Sequence, residues 1–284
     1  MKNKGIIAIN KPQGWTSFDV VNKIKHMVKP LKVGHLGTLD PMATGVLLVT
    51  VGKATKLFDL MQEKKKTYIA TFEFGKLTDT LDSTGEVIET MPVKAISKEE
   101  LQQVISKFVG EINQVPPKYS AKSINGTRAY TLARHNIDFE IPAKKVNIYN
   151  IEILEFAENI MKLEIICGSG TYIRALGRDI SAELGTVATM TSLIRTQVGK
   201  TSIGNTLEIN DLNKENINEK ITPINDVLDY PNINLNENNT FKILNGQILN
   251  TDLVDGIYKL NNEFDTIALI KVKNLTAKMW LFLG

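Results

Sequence analysis

Cysteine is almost absent from this chain of 284 residues, which contains only one. That residue, Cys167, excludes an internal disulfide and any zinc site built from cysteine pairs. Histidine is scarce too: His26, His35 and His135 show no paired spacing, and no HExxH pattern occurs. The sequence therefore predicts a protein without a metal site.

Long apolar runs are also missing. Near the start, Ile6–Ile9 is a run of four apolar residues that ends at Asn10, and a signal peptide requires a longer one. The longest mainly apolar stretches, such as Val46–Val51, have the length of a strand and are too short to cross a membrane. We therefore expect a cytoplasmic protein without a membrane segment.

The signatures of nucleotide-dependent enzymes and serine hydrolases are absent as well. Gly199-Lys200-Thr201 resembles the end of a phosphate-binding loop, but Ile194 stands where that loop requires glycine. No GxGxxG pattern follows a predicted strand, and no GxSxG pattern occurs. The remaining chemistry belongs to carboxylate, aromatic and guanidinium groups, so we expect no cofactor.

The overall composition is typical of a globular protein, with 43% hydrophobic and 23% charged residues. The length favours a main domain and a smaller second one. The net charge of +3 is uneven, because residues 1–66 carry 12 Lys and Arg against 4 Asp and Glu, whereas residues 201–284 carry 7 against 11. The basic excess favours a polyanion-binding surface. A merely solvated surface explains lysines such as Lys64-Lys65-Lys66 equally well.

Hydrophobic periodicity predicts alternating strands and helices. Strands are expected at Ile6–Asn10, Val46–Val51, Tyr68–Phe74, Ile148–Phe156 and Met161–Cys167, and helices at Phe18–Val28, Ser97–Phe108 and Tyr172–Leu184. Asn125-Gly126 predicts a two-residue hairpin. Three short alternating strands, over 256–260, 266–272 and 277–283, predict a small β-rich module at the end of the chain.

The segment VGHLGTLDPMATG, residues 33–45, is the most informative one in the chain. Two glycines before Asp40 and one after it allow backbone shapes that other residues resist. Pro41 keeps Asp40 out of a helix and leaves its carboxylate on an ordered turn. Spacing alone favours a tight connection into the next strand, with Asp40 as a turn residue. A catalytic carboxylate is the alternative.

This segment resembles the active-site motif of the TruB family of tRNA pseudouridine synthases, in which the aspartate is the nucleophile. Five other segments match the family in chain order: Lys11-Pro12-x-Gly14-x-Thr16-Ser17, Lys66-Thr67-Tyr68, Thr78-Asp79-Thr80-x-Asp82, Pro116-Pro117-x-Tyr119-Ser120-Ala121 and Gly170-Thr171-Tyr172-Ile173-Arg174. The matches extend from residue 5 to about residue 200. Ile194 departs from the pattern, since many members carry arginine there, while Leu193 and Arg195 on either side match.

The resemblance implies an α/β (α+β) fold. A pseudouridine synthase catalytic domain with a mixed, antiparallel-rich sheet and a central cleft is expected over residues 1–225, and a PUA-like RNA-binding module over 230–284. It also implies that the chain converts uridine to pseudouridine at position 55, in the TΨC loop of tRNA, after flipping the base. The expected partner is the T arm of tRNA, and we expect a monomer. A non-catalytic tRNA-binding or folding helper and a guide-dependent relative are the alternatives.

Three residues would carry the chemistry, as the resemblance implies. Asp40 would be the nucleophile, and Arg174 would lower the pKa of its carboxyl and keep it ionised. Tyr68 would stack on the flipped uracil and take part in removing a proton, either from C5 or from the sugar. Asp79 and Asp82 are interpreted as turn and hydrogen-bonding residues, because no second carboxylate is needed to activate a water.

Five further residues are predicted to contact the RNA or the flipped nucleotide. His35 would fill the space that the flipped base leaves in the stack, the alternative being a surface histidine. Tyr172 and Leu193 would complete the pocket wall, although either residue is equally compatible with the core. Lys11, in the first matched segment, and Arg195, which matches beside Ile194, would contact the RNA substrate.

Overall fold

A computed structural model of the chain describes residues 4–120, 122–124, 126–135 and 137–284. The strands are β1 (Gly5–Lys11), β2 (Val33–His35), β3 (Thr44–Val51), β4 (Lys66–Phe74), β5 (Lys76–Thr78), β6 (Val87–Thr90), β7 (Gly110–Gln114), β8 (Ser123–Ile124), β9 (Thr127–Arg128), β10 (Lys144–Ala157), β11 (Ile160–Cys167), β12 (Ala188–Val198), β13 (Thr201–Ser202), β14 (Leu207–Glu208), β15 (Leu249–Asn250), β16 (Gly256–Asn261), β17 (Thr266–Lys273) and β18 (Thr276–Phe282). The helices are α1 (Ser17–Met27), α2 (Phe58–Gln62), α3 (Lys98–Ser106), α4 (Ala129–Arg134), α5 (Ile173–Glu183), α6 (Ile217–Lys220), α7 (Ile224–Val227) and α8 (Glu237–Leu244). Short 3-10 turns lie at Gly52–Leu57, Ile203–Asn205 and Ile209–Asp211.

One large mixed sheet organises the main part of the chain. Its strand order is β14-β1-β3-β12-β4-β11-β10-β7, with β2 and β13 paired to β3 and β12. The β1–β14 and β3–β12 pairs are parallel, and the other pairs are antiparallel. The α/β (α+β) fold with a mixed sheet, predicted from the sequence, is therefore confirmed.

Strand β4 lies near the centre of this sheet, and its burial alternates along all nine residues. Helix α5 packs on β4 and β12 and buries Ile173, Leu176 and Ile180 in the same core cluster as Phe72. A Cβ atom at Gly177 would overlap the Phe72 ring, so glycine is needed for α5 to lie this close to the sheet. The close packing fixes the position of α5 relative to β4 and β12.

Helix α1 covers another part of the sheet and begins at a capping box. Thr16 Oγ1 accepts a hydrogen bond from Asp19 N at 3.1 Å, and Asp19 Oδ2 accepts one from Thr16 N at 2.8 Å. The helix ends at Met27, ahead of Pro30, as predicted. Because Thr16 is the cap, the hydroxyl of Ser17 is available for another contact.

The last part of the chain forms a separate antiparallel sheet, with the order β15-β18-β17-β16. The predicted β-rich module is confirmed, while its PUA-like role in RNA binding stays a prediction. It is joined to the main domain through a common apolar cluster that includes Ile6, Leu57, Leu269 and Leu283. Lys4 Nζ also donates to the carbonyls of Thr266 (2.6 Å) and Leu283 (2.9 Å).

Two smaller sequence expectations concern the hairpin and the membrane. Ser123 pairs with Arg128 and Ile124 with Thr127, so strands β8 and β9 form the hairpin predicted at this position. Asn125 itself, like Ala121 of a matched motif, lies outside the described residues. In the part of the chain that the structure describes, no helix is both long and apolar enough to span a membrane.

Candidate active site

Asp40 lies in the loop that joins β2 to β3, and the backbone on either side of it is held by hydrogen bonds. Ser17 Oγ accepts a hydrogen bond from Leu39 N at 2.9 Å and donates one to Leu39 O at 3.2 Å. The carbonyl of Pro41 accepts from Gly14 N at 2.8 Å. The carboxylate therefore projects from a turn whose backbone is fixed before any substrate binds.

Lys11 holds the same loop from inside the fold. Its side chain is 0% exposed, and Nζ donates to the carbonyls of Trp15 (2.6 Å), Pro12 (2.9 Å) and Pro41 (3.2 Å). Burial lowers the pKa of Lys11 to about 8, against the opposing effect of Asp40. This position does not agree with the RNA contact expected from the sequence, because three backbone carbonyls already surround the ammonium group.

Arg195 is likewise inside the protein, at 1% exposure. Its Nε donates to Val46 O at 2.7 Å, Nη2 to Gly37 O at 3.2 Å and Nη1 to Thr38 O at 3.3 Å. Tyr68 is the residue directly opposite Arg195 in the β4–β12 pair, and the charge of the guanidinium acts on its phenol. This guanidinium lies beneath the Asp40 loop and away from solvent, a position that does not agree with the RNA contact expected from the sequence.

Arg174, in the first turn of α5, forms a two-pronged ion pair with Asp40. The distances are 2.9 Å from Nε to Oδ2 and 3.0 Å from Nη2 to Oδ1. The guanidinium is also held by the carbonyls of Thr80 (2.7 Å) and Tyr119 (3.2 Å). Asp179, an acidic residue of the same helix, pairs with its neighbour Arg178 instead.

A second buried carboxylate, Asp82, lies on the far side of Arg174. Its Oδ2 is 3.4 Å from Arg174 Nη1, and its Oδ1 accepts a hydrogen bond from Thr80 Oγ1 at 2.9 Å. Asp79 accepts one from Glu86 N at 2.9 Å within the same loop. Arg174 is therefore held between two carboxylates. The side chain of Asp40 is 31% exposed, whereas that of Asp82 is buried.

Burial raises the pKa of the Asp40 carboxyl above its ordinary value. The positive charges of Arg174 and Lys11 oppose that rise, and the negative charge of Asp82 adds to it. The sequence predicted the lowering effect of Arg174 but not that burial would exceed it. A carboxylate of raised pKa is a stronger nucleophile once ionised, and Arg174 keeps it oriented.

The raised pKa predicts the acid side of the pH profile. The ionised carboxylate is the reactive form, so the single-turnover rate should fall as the pH drops through the pKa of Asp40. That midpoint should lie above the ordinary value of 3.8, since the folded-state pKa is raised. The measurement is the rate of product formation from neutral pH downward, with circular dichroism checking that the protein stays folded. A rate that is flat down to 3.8 would contradict the expectation.

Tyr68 lies on β4 directly opposite Arg195 of β12. Its ring is buried in the cluster that also contains Leu39 and Leu193. Burial raises the pKa of the Tyr68 phenol, while the charge and the hydrogen bond of Arg195 work in the other direction. The sheet therefore brings the predicted aromatic and the predicted wall residue Leu193 together beneath the Asp40 loop.

Tyr172 and His35 lie at two edges of this region. Tyr172 is the residue that caps α5, and its backbone N and O are bound by the side chain of Gln114 at 2.8 and 3.1 Å. His35 is half-buried in β2, opposite Val49. Burial and the charge of Arg195 lower the pKa of His35, which favours the neutral ring.

Two supporting residues were not assigned to the site by sequence reasoning. Ser17 belongs to the first matched segment but was given no role there, and its contact with Leu39 depends on Thr16 taking the cap. Gln114 is buried at the end of β7 and binds the backbone at the start of α5. No local pattern predicts either contact, because each side chain acts on a segment distant in the chain.

Comparison with known proteins agrees with this arrangement. Residues 25–173 match the model of the TruB family pseudouridylate synthases, N-terminal domain. A tRNA pseudouridine synthase B of Clostridium kluyveri is 42% identical over 94% of this chain and 96% of that protein. The chain belongs to the TruB family. Another tRNA pseudouridine synthase B, from Fusobacterium nucleatum, is 50% identical over 70% of the chain and 69% of that protein.

The fold of this TruB-family chain also has a counterpart among solved structures. A chain of the Cbf5-Nop10-Gar1 complex superimposes with a TM-score of 0.73 at 22% identity, covering 99% of this chain and 85% of that one. At that identity the likeness concerns the fold. It extends over the main sheet and the C-terminal module alike, so both parts belong to one known arrangement.

Proposed function

We propose that this protein converts uridine to pseudouridine in the TΨC loop of tRNA, at position 55, with Asp40 as the nucleophile. The observation that carries the proposal is the two-pronged ion pair between Asp40 and Arg174 in a loop fixed by backbone hydrogen bonds. The names of its TruB relatives, tRNA pseudouridine synthase B, support tRNA as the substrate. A carboxylate that is fixed, partly exposed and charge-paired suits attack on a nucleotide delivered from outside.

The reaction is an isomerisation that these residues can perform without redox chemistry. The bond from ribose C1′ to N1 breaks, the base turns, and C1′ bonds to C5. The proton on C5 leaves and N1 gains a proton, so atoms and electrons balance. Asp40 would attack at C1′ or at C6, or assist departure of the base by its charge. All three routes require the ionised carboxylate that Arg174 orients.

The target uridine must leave the stacked loop before Asp40 can reach it, at a cost of roughly a few kcal/mol. Tyr68 would present its ring to the flipped uracil, an interaction worth on the order of 1–3 kcal/mol. Leu193 and Tyr172 would form the adjoining wall, and His35 would occupy the space left in the stack. These assignments agree with the nearness of Tyr68 and Leu193 in one cluster below the loop.

A basic cavity supports an RNA substrate. A cavity of about 990 Å³ between the main domain and the C-terminal module is lined by Lys32, Lys53 and Lys56, by Asp265, and by Lys4, whose ammonium group is held by two backbone carbonyls. It contains none of the residues around Asp40, so it would bind a part of the RNA away from the target base. Phosphates are the natural ligands of such a lysine cluster. Part of the basic excess of residues 1–66 is thus collected on one surface.

Two alternatives make different demands on the site. A non-catalytic tRNA helper has no use for a carboxylate paired to a buried arginine beside an aromatic ring. A guide-dependent synthase would need partner proteins and a guide RNA. The relatives at 42% and 50% identity carry a name that refers to tRNA alone, which favours direct recognition of tRNA.

The test uses purified protein and an unmodified tRNA transcript carrying tritium at C5 of uracil. We expect tritium release to a limit of one uridine per tRNA, because pseudouridine formation replaces the C5 proton. A transcript with cytidine at position 55 is the control and should release none. Tight binding of the transcript without release would contradict the proposal and favour the helper. Release that occurs only after a guide RNA is added would favour the guide-dependent relative.

A further inference from the structure

Arg195 is a buried cation that the proposed chemistry does not use. Burying a guanidinium is costly unless its donors are satisfied. Here the acceptors are three backbone carbonyls, of Gly37, Thr38 and Val46, and the residue paired directly opposite Arg195 is Tyr68. A cation that served only to fill the core would be replaceable by an apolar side chain. The choice of these partners therefore needs an explanation.

The three carbonyls belong to the two ends of the loop that carries Asp40. Gly37 and Thr38 precede the nucleophile, and Val46 lies in the strand that follows it. The backbone of Arg195 pairs with Gly45, where φ is 101° and an added Cβ would overlap the Arg195 carbonyl. One residue of β12 therefore holds both ends of the loop.

The fourth partner belongs to a different part of the site. Tyr68 lies on β4, on the side of β12 opposite to β3, directly opposite Arg195, whose charge acts on its phenol. We propose that Arg195 is a positioning residue that fixes the hydroxyl of Tyr68 relative to the loop carrying Asp40. This inference rests on the proposed function, since it concerns the placement of two groups around one flipped uracil.

The consequence of this arrangement is kinetic. Misplacing a reacting group by about 1 Å can lower a rate about 10²-fold without loss of binding. Lysine keeps the positive charge but has a single nitrogen, which cannot reach the loop carbonyls and the phenol together. Replacing Arg195 with lysine should therefore loosen the geometry between Tyr68 and Asp40 and leave the RNA-binding surface unchanged.

The experiment compares Arg195→Lys and Arg195→Met with the wild type in single-turnover tritium release at saturating enzyme. Under that condition the rate constant does not depend on the folded fraction of the preparation. We expect both variants to be slowed by about 10²-fold, with tRNA affinity within about twofold of the wild type. Lys259→Met is the matched control: Lys259 is also a buried cation bound to backbone carbonyls, at Asn225 and Leu228, and should lose stability without loss of rate.

A double-mutant cycle with Tyr68→Phe separates positioning from general support of the fold. If Arg195 acts through the phenol, the slowing caused by Arg195→Lys should be clearly smaller in the Tyr68→Phe background. Equal slowing in both backgrounds, or a wild-type rate in Arg195→Lys, would overturn the inference. A loss confined to tRNA affinity would overturn it too and identify an RNA contact. Failure of the wild type itself to release tritium would count instead against the proposed function.

Discussion

Replacing Asp40 with asparagine is expected to lower the single-turnover rate of pseudouridine formation by at least about 10⁴-fold. The amide keeps the size and shape of the carboxylate but cannot attack carbon or stabilise a developing positive charge on the ribose. It can still accept a hydrogen bond from Arg174, so the loop should keep its conformation. The measurement is tritium release with enzyme in excess over labelled tRNA.

The matched control is Asp79→Asn, the same chemical change in a neighbouring loop. Asp79 accepts a backbone hydrogen bond from Glu86 that asparagine can also accept, so this variant should keep a rate near the wild-type value. Filter binding should show that both variants retain tRNA. A rate for Asp40→Asn within tenfold of the wild type would rule out attack by this residue. Lost binding with an unchanged rate constant would mean that Asp40 serves recognition.

Much of the fold follows from local patterns in the sequence. The alternation in Tyr68–Phe74 predicts a half-buried strand, and β4 buries every second residue along its length. The capping residues around Thr16 predict the start of α1, and Pro30 predicts its end. These features depend on neighbours in the chain, which is why one sequence is enough to find them. The pairing of β12 between β3 and β4 joins distant segments and has no such local signal.

The residues of the site also divide into those that a sequence motif indicates and those whose contacts depend on the tertiary fold. Asp40 and Arg174 are 134 residues apart, and only the family motif indicated that they would meet. Lys11 and Arg195 were assigned to RNA contacts from the family resemblance, and such contacts require exposed side chains. Both are instead buried, since they find carbonyl acceptors in a loop that lies 30 residues from Lys11 and more than 150 from Arg195. Which carbonyls need a donor depends on the tertiary path of that loop and cannot be read from spacing.

Arg174 is the other residue whose loss should be severe, because its positive charge lies between two carboxylates that distant segments bring together. Arg174→Met would leave the carboxylates of Asp40 and Asp82 buried near each other without the cation between them. Breaking a buried ion pair in this way costs about 3–5 kcal/mol. A lower midpoint in thermal and urea unfolding is therefore expected, together with a rate too low to measure at neutral pH.

Arg174→Lys tests the catalytic part of that effect with the charge retained. An ammonium group cannot make the two-pronged contact with Asp40 while also holding the carbonyls of Thr80 and Tyr119. We expect a rate lowered by about 10²-fold, since the nucleophile loses its orientation. The pKa of Asp40 should rise further, because burial is then less well opposed, and the acid limb of the pH profile should move to higher pH.

Arg178→Lys, in the same helix, is the control and should change neither rate nor pH profile. An Arg174→Lys enzyme with the wild-type rate and acid limb would show that the guanidinium fork has no part in the chemistry, and that Asp40 owes its reactivity to the loop alone.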